Sequence, residues 1–190
     1  MFIIRKIYYF LLDTIQTILI VASVLMILYA FVIQPNEVSG LSMYPTFKDH
    51  DYLLSYLLDV KFDKYKKGDV VVFHSPVELD KLYIKRVIAT PGDTIMVQNG
   101  KVFLNGSQLD ESLYLSPDVE THGGAFLQEG LPKTIPTGTI VVMGDNRPNS
   151  SDSREWGFLD KSRVVGRSVV RFFPFNTFHL IHNPYTEHKL

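Results

Sequence analysis

The polar and apolar positions of this chain change rhythm near residue 34. Before it, Thr14 to Ile33 reads TIQTILIVASVLMILYAFVI, twenty residues without a charge. As a helix that run is long enough to cross a hydrocarbon core about 30 Å thick. It is apolar on every side, whereas a helix packed on a soluble core keeps a polar face. A cleavable leader has a shorter apolar region, roughly 7 to 15 residues, followed by small residues at the cut. Here the run ends in Val32, Ile33, Gln34 and Pro35, so an uncleaved membrane anchor over residues 14–33 is expected. Arg5 and Lys6 precede it, and the next basic residue is Lys48. Positive flanks stay on the cytoplasmic side, which puts residues 1–13 inside and residues 34–190 outside.

Beyond the anchor, short β-like runs alternate with turn signals. Asp69 to His74 (DVVVFH) and Leu82 to Ala89 (LYIKRVIA) are rich in branched and aromatic residues, the composition that suits a pleated, half-buried surface. Thr94 to Leu104 (TIMVQNGKVFL) places Asn99-Gly100 between two such runs, a hairpin signal because both residues tolerate positive φ. Thr139 to Met143 and Val164 to Phe173 read as further strands, punctuated by Gly138, Gly144 and Pro174. Asp110 to Pro136 is polar, with Gly123-Gly124 at its centre, and reads as a long loop. The expected fold is mainly β, an antiparallel domain hung from one transmembrane helix.

Composition adds limits. The 190 residues suit one span and one domain of about 150 residues. The chain has no cysteine, which excludes disulfides and thiolate metal sites. Arg5, Lys6 and Asp13 are the only charged residues before position 34, so 17 of 19 basic and 19 of 20 acidic residues follow. That balance gives no basic stripe for a nucleic acid and no strong pull toward anionic lipid.

Three stretches carry candidate chemistry. Ser39 to Thr46 (SGLSMYPT) follows the anchor closely and holds two serines. A serine hydroxyl is a poor nucleophile unless a neighbouring base takes its proton. The six histidines, His50, His74, His122, His179, His182 and His188, form no triad pattern, and the last three read as a surface tail rather than a metal site. A lysine can serve instead if burial keeps it neutral. Lys85 shares a strand face with Tyr83 and Val87, and Arg86 lies on the face of Ile84 and Ile88; the alternation alone leaves open which face is buried. The third stretch, Gly144 to Gly157 (GDNRPNSSDSREWG), reads as a structured turn in which Asp152 and Arg154 can pair bidentately.

Taken together, the anchor, SGLSMYPT, YIKRVIATPGD (Tyr83 to Asp93) and GDNRPNSSDSREWG resemble, in order and spacing, the type I signal peptidases, membrane-anchored serine proteases with a Ser/Lys dyad. The resemblance covers nearly the whole chain and is nearer the short, single-anchor Gram-positive type. It implies Ser42 as nucleophile, with its backbone N–H in the oxyanion hole, and Lys85 as general base. Ser150 would bond the lysine amine, with Asp145, Asp152 and Arg154 supporting the site. It implies an antiparallel β domain that cuts signal-peptide-bearing preproteins after small residues, Ala-X-Ala-like, at the outer face of a bacterial plasma membrane. No metal, cofactor or nucleic acid is implied; the partners are preproteins and the lipid bilayer. Two departures stand out: Gly40 occupies the position where some members place a second oxyanion serine, and Leu41 stands where Gram-positive members often carry a polar or acidic residue, with Pro148 directly after GDNR.

The nine residues from Ile33 to Ser42 reach at most roughly 30 Å, so the serine stays near the bilayer. Two alternatives stand beside this reading. One is a related Ser/Lys protease with a narrow substrate set. The other is a tethered β domain that binds exported peptides without cutting them, which would have no reason to retain a buried lysine. The self-cleaving SOS repressors share the chemistry but carry a DNA-binding domain in place of an anchor.

Overall fold

The computed structural model describes residues 2–61 and 66–186; His188 therefore lies outside the described residues. Helix α1 (Phe2–Phe31) is followed by a one-residue turn at Val32 and then directly by strand β1 (Ile33–Glu37). The helix thus starts well before the apolar run at Thr14, and Ile33 is already the first strand residue. Its large apolar side chains are exposed, from Phe2 at 72% to Phe31 at 57%. It is, among the described residues, the one helix long and apolar enough to cross a membrane.

The rest is mainly antiparallel β-sheet. After β1 come β2 (Tyr52–Tyr56), the short helix α2 (Leu58–Lys61), β3 (Val70–His74) and β4 (Leu82–Ala89). Then follow β5 (Thr94–Gln98), β6 (Lys101–Leu104), β7 (Ser107–Gln108), β8 (Lys133–Thr134) and β9 (Thr139–Met143). Helix α3 (Ser153–Trp156), β10 (Leu159–Asp160), β11 (Val164–Phe173) and β12 (His179–Leu180) complete the order. The larger sheet runs β1-β2-β11-β3-β4-β9-β10, with β12 on β11, and the smaller runs β7-β6-β5-β8. The hairpin expected at Asn99-Gly100 joins β5 to β6, with φ of 51° and 74° at the two turn residues, the left-handed values such a turn needs.

Strands β1 and β2 had no clear signal in the sequence. β1 reads IQPNE, polar and interrupted by Pro35, a residue tolerated in a strand only where a hydrogen bond is not required, as at a sheet edge. β1 is that edge, paired only with β2. Asp110 to Pro136 is a loop apart from β8, which pairs with β5.

Register sets the distance from the helix end to Lys85 across the sheet. Ile33 pairs with Tyr56, Tyr56 with Arg167, Arg167 with Val71, and Val71 with Lys85. One row of pairs therefore links the first residue after α1 to Lys85, a span of about 19 Å at roughly 4.8 Å per strand.

Three apolar clusters hold the layers. Val71, Phe73, Val87, Ile140, Val142, Leu159 and Val164 form one, with Tyr83 and Trp156 against it. Ile88, Ile95, Val97, Leu127 and Met143 centre a second between the two sheets. Val38, Met43, Phe47, Leu53 and Val70 form the third, beneath the turn that carries Ser42. Phe73 is fully buried and meets Tyr83 edge-on at 6.2 Å and Trp156 at 6.1 Å. Truncation of such a ring leaves a cavity that the packed sheet cannot close. Phe73→Ala should cost about 3–5 kcal/mol of stability, read as a lower urea midpoint with unchanged slope.

Candidate active site

Ser42 sits in the turn that follows β1, and the turn is pinned from two sides. Met43 and Phe47 are fully buried in the cluster below, and Phe47 N donates to Met43 O at 2.9 Å. From the other side, Asn146 N donates to Ser42 O at 3.0 Å and Asn146 Nδ2 to Leu41 O at 2.9 Å. The Gly40 N–H is committed to Asp49 Oδ1 at 2.7 Å.

Lys85 lies in the half of β4 that has one neighbour. β3 pairs with Leu82 through Arg86, but β9 pairs with β4 only from Arg86 onward. The edge beside Lys85 is therefore open toward a cleft of about 520 Å³, whose lining includes Asn36, Val38, Leu41, Ser42, Tyr83 and Lys85. Lys85 is only 4% exposed. Its Nζ lies 2.7 Å from Ser42 Oγ and 3.0 Å from Ile84 O, and 5.1 Å from the Tyr83 ring centroid. Burial pushes the amine down to about 8 from 10.5, against the opposing pull of the Asp152 and Asp145 carboxylates. With a neutral amine, the Ser42 hydroxyl proton can point at the nitrogen.

Both carboxylates are matched by guanidiniums. Asp145 receives Arg86 Nε at 2.9 Å and Nη2 at 2.6 Å, and its Oδ2 also accepts from Thr46 Oγ1 at 2.6 Å. That carboxylate thus ties β4 to the serine turn. Asp152 receives Arg154 Nε at 2.8 Å and Nη2 at 2.9 Å, caps α3 by accepting from Arg154 N, and accepts from Gly144 N at 3.0 Å. Such fork-to-fork pairs fix orientation as well as charge.

Ser150 Oγ is buried and has no hydrogen-bond partner; the two bonds of the Lys85 amine go to Ser42 and Ile84. Ser150 packs against Gly144, where a Cβ would fall 2.3 Å from Ser150 Oγ and 2.4 Å from Ser42 O. Only a glycine lets the box come this close to the serine turn. Pro148 fits the first positions of the 3-10 turn Arg147–Asn149, where its missing N–H is no loss.

Several residues at the site had not been assigned a role from the sequence: Thr46, Arg86, Asn146 and Arg147. Arg147 is 1% exposed; it donates to Gly144 O at 3.0 Å and Glu111 Oε1 at 2.5 Å, and also bonds Thr121 Oγ1. The long loop thus braces the GDNR box from behind, and none of its residues lines the cleft. The signal in each case was position within or beside a quoted motif. Among the described residues, no group of three His, Cys, Asp or Glu side chains could hold a metal ion.

With this geometry in hand, the chain was compared with known proteins. Residues 11–173 match the family model described as signal peptidase, peptidase S26. A probable signal peptidase I-1 from Synechocystis sp. is 39% identical over 165 residues, covering 82% of this chain and 80% of that protein. Signal peptidase IB from Staphylococcus aureus is 36% identical over 185 residues, covering 92% and 95%. A crystal structure of a signal peptidase I from Enterococcus faecalis V583 superposes with TM-score 0.46 at 29% identity, over 55% of this chain and 96% of that one.

The contact at Gly144 yields a direct expectation. Gly144→Ala should force apart Ser150 and the serine turn and lower stability by about 1–3 kcal/mol, as overpacking does. Differential scanning calorimetry should read a lowered midpoint, whereas Gly138→Ala, with no atom within 4 Å of the added Cβ, has only its positive φ to strain it.

Proposed function

The chain belongs to the signal peptidase family, peptidase S26, and from that premise we propose that it removes N-terminal signal peptides from exported preproteins with Ser42 as nucleophile and Lys85 as general base. The observation that carries the assignment is a lysine amine, buried and pushed down to about 8, at 2.7 Å from a serine hydroxyl on the wall of an open cleft.

In the first step the neutral Lys85 amine takes the Ser42 proton as Oγ attacks the scissile carbonyl, and the Ser42 backbone N–H donates to the oxyanion. Collapse of the intermediate breaks the C–N bond, and the Lys85 ammonium gives its proton to the leaving amine, the new N-terminus of the mature protein. The signal peptide is then an ester on Ser42. Lys85, neutral again, takes a proton from water as the water oxygen attacks the ester; collapse breaks the C–Oγ bond, the Lys85 ammonium returns the proton to Ser42 Oγ, and the freed signal-peptide acid ionises to bulk water. The bond expected from Ser150 to the lysine amine is not formed, its buried Oγ standing unpartnered beside the serine turn, while Asp145, Asp152 and Arg154 hold the frame.

Substrate enters as an extended strand. The open edge of Leu82–Lys85 and the segment after β1, which both line the cleft, offer backbone groups to any sequence, so side-chain pockets alone select small residues of the Ala-X-Ala kind. The exposed apolar helix α1 supports a single-pass protein of the bacterial cell membrane: the residues before the apolar run cytoplasmic, the run from Thr14 to the helix end at Phe31 in the bilayer, and the β domain from Ile33 onward outside. The two basic residues before the span, Arg5 and Lys6, favour that orientation.

Incubation of the full chain with a preprotein in detergent, with mass spectrometry of the mature N-terminus, tests the reading. Ser42→Ala and Lys85→Ala should each abolish cleavage with the domain still folded, and a fully active Lys85→Ala protein would refute the dyad. The acid limb of kcat/KM should have an apparent pKa near 8. Activity rises with pH there because the amine must lose its proton to act, so a limb near the free-lysine value would show that Lys85 is not the buried base.

A further inference from the structure

We infer that Asn183 and Tyr185 are positioning residues for the Ser42–Lys85 pair, acting through Arg86. The inference rests on the dyad reading and adds to it a strap from the C-terminal part of the chain, which none of the quoted motifs reaches.

Two routes from the strap converge on Arg86. The first runs through the turn before β3. Asn183 Nδ2 donates to Lys67 O at 2.8 Å and to Asp69 Oδ1 at 2.7 Å, bracketing Gly68 on both sides. Gly68 has φ of 92°, and a Cβ there would lie 2.6 Å from both Asn183 Oδ1 and Tyr185 Cδ2. The strap therefore lies directly on the turn, and only glycine permits it. The carbonyl of that glycine accepts Arg86 Nη1 at 2.8 Å. The second route is aromatic. Tyr185 OH donates to Asp110 O at 2.9 Å and lies 3.3 Å from Tyr114 OH, the two rings meeting edge-on at 6.3 Å. The Tyr114 ring in turn carries the Arg86 guanidinium 4.3 Å from its centroid.

Arg86 is thus held on one side by the glycine carbonyl, on another by the tyrosine ring, and presents its remaining donors to Asp145. Asp145 holds Thr46, four residues beyond the nucleophile. The strap itself is held by its own bonds: Tyr185 N donates to Asn183 Oδ1 at 2.8 Å, and Lys67 Nζ sits 5.0 Å over the Tyr185 ring. Behind Arg86 lies a cavity of about 230 Å³, lined by Thr46, Phe47, Tyr114 and Pro184 among others.

The consequence reaches Lys85 through charge. The groups facing it are the Asp145 and Asp152 carboxylates, each with its guanidinium, and the Tyr83 ring. Arg86 also faces Tyr114 and Tyr185, and Arg147 and Glu111 lie next along the network. A loosened Arg86 leaves the Asp145 charge less compensated, which favours the ammonium form of Lys85. Loss of the strap should therefore move the acid limb of kcat/KM upward, an effect that a loss of global stability would not produce.

The test uses the full-length enzyme in detergent and a short soluble peptide substrate. Asn183→Ala/Tyr185→Ala should lower kcat by about tenfold, as displacement of a catalytic group does, with KM within about twofold because the cleft wall is untouched. Its acid limb should shift to higher pH. Tyr185→Phe keeps the ring stack and should restore kcat and the limb in the Asn183 background to the values of Asn183→Ala alone. If the double variant does not fold, Asn183→Ala alone must show the upward shift. A folded variant with lower thermal midpoint but unchanged kcat and limb overturns the inference and makes the strap merely structural. Lys85→Ala, measured alongside, separates the two claims: if it is inactive while the strap variants titrate like the parent, only the strap inference fails.

Discussion

The 2.7 Å contact between Lys85 Nζ and Ser42 Oγ joins groups 43 positions apart, and it is chemically useful only while the amine is kept dry. A lysine in water is charged and cannot accept a proton; at 4% exposure Lys85 is held where charge is disfavoured. That placement is costly. The folded-state value of about 8 lies below the 10.5 of a free lysine, so the unfolded chain binds the proton more tightly. Below pH 8 both states carry the proton and the fold bears the whole penalty, roughly 3 kcal/mol. As pH rises from 8 to 10.5 the penalty is progressively relieved. The domain thus accepts lower stability at neutral pH to hold this amine near neutrality, a cost the three apolar clusters offset.

Two carboxylates beside a buried amine would, left alone, raise its pKa and undo the arrangement. Here each has its own guanidinium: Arg86 for Asp145 and Arg154 for Asp152, with Glu111 matching Arg147 behind them. Pairing fixes the carboxylates in place and opposes their charge with a neighbouring guanidinium, and desolvation is the larger influence on Lys85. The same pairs act as ties between distant segments. Asp145 links β4 to the serine turn, Asp152 joins α3 to Gly144, and Arg147 draws the long loop onto the box. Removal of one partner from such a buried pair leaves an uncompensated charge, which costs far more than the pair itself contributes.

Where the sequence was legible, the reason is local. β3, β4, β9 and β11 are runs of branched and aromatic residues between glycine and proline, and the Asn99-Gly100 turn needs positive φ that these two residues tolerate. β1 was hidden because its strand character comes from pairing with Tyr52–Tyr56 rather than from its own composition. For Lys85 the period-2 pattern gave the face but not its burial, since that depends on β9 stopping at Arg86 and on a turn 43 residues upstream. Only the family resemblance brought Ser42 and Lys85 together in advance. Arg86 and Arg147 were given no role because their partners, Asp145 and Glu111, lie 59 and 36 positions away. The direction taken by Asp110 to Pro136 was likewise invisible until the Arg147 contacts fixed it.

The absence of a linker between α1 and β1 gives the sheet a further consequence. Ile33 follows the helix after a single residue, and the pairing row from Ile33 through Tyr56, Arg167 and Val71 ends at Lys85. The lysine is therefore held at a set distance from the end of the helix, about 19 Å for four strand spacings, rather than at the end of a flexible tether. On the proposed reading, a signal peptide whose apolar segment lies beside α1 must bridge that distance in extended form. At about 3.3 Å per residue this takes roughly six residues. The spacing between the apolar segment of a substrate and its cut would then be measured by the width of three intervening strands. On that same reading the cleft has to discriminate only the side chains next to the bond, because the pairing row already fixes the reach from the helix end to Lys85.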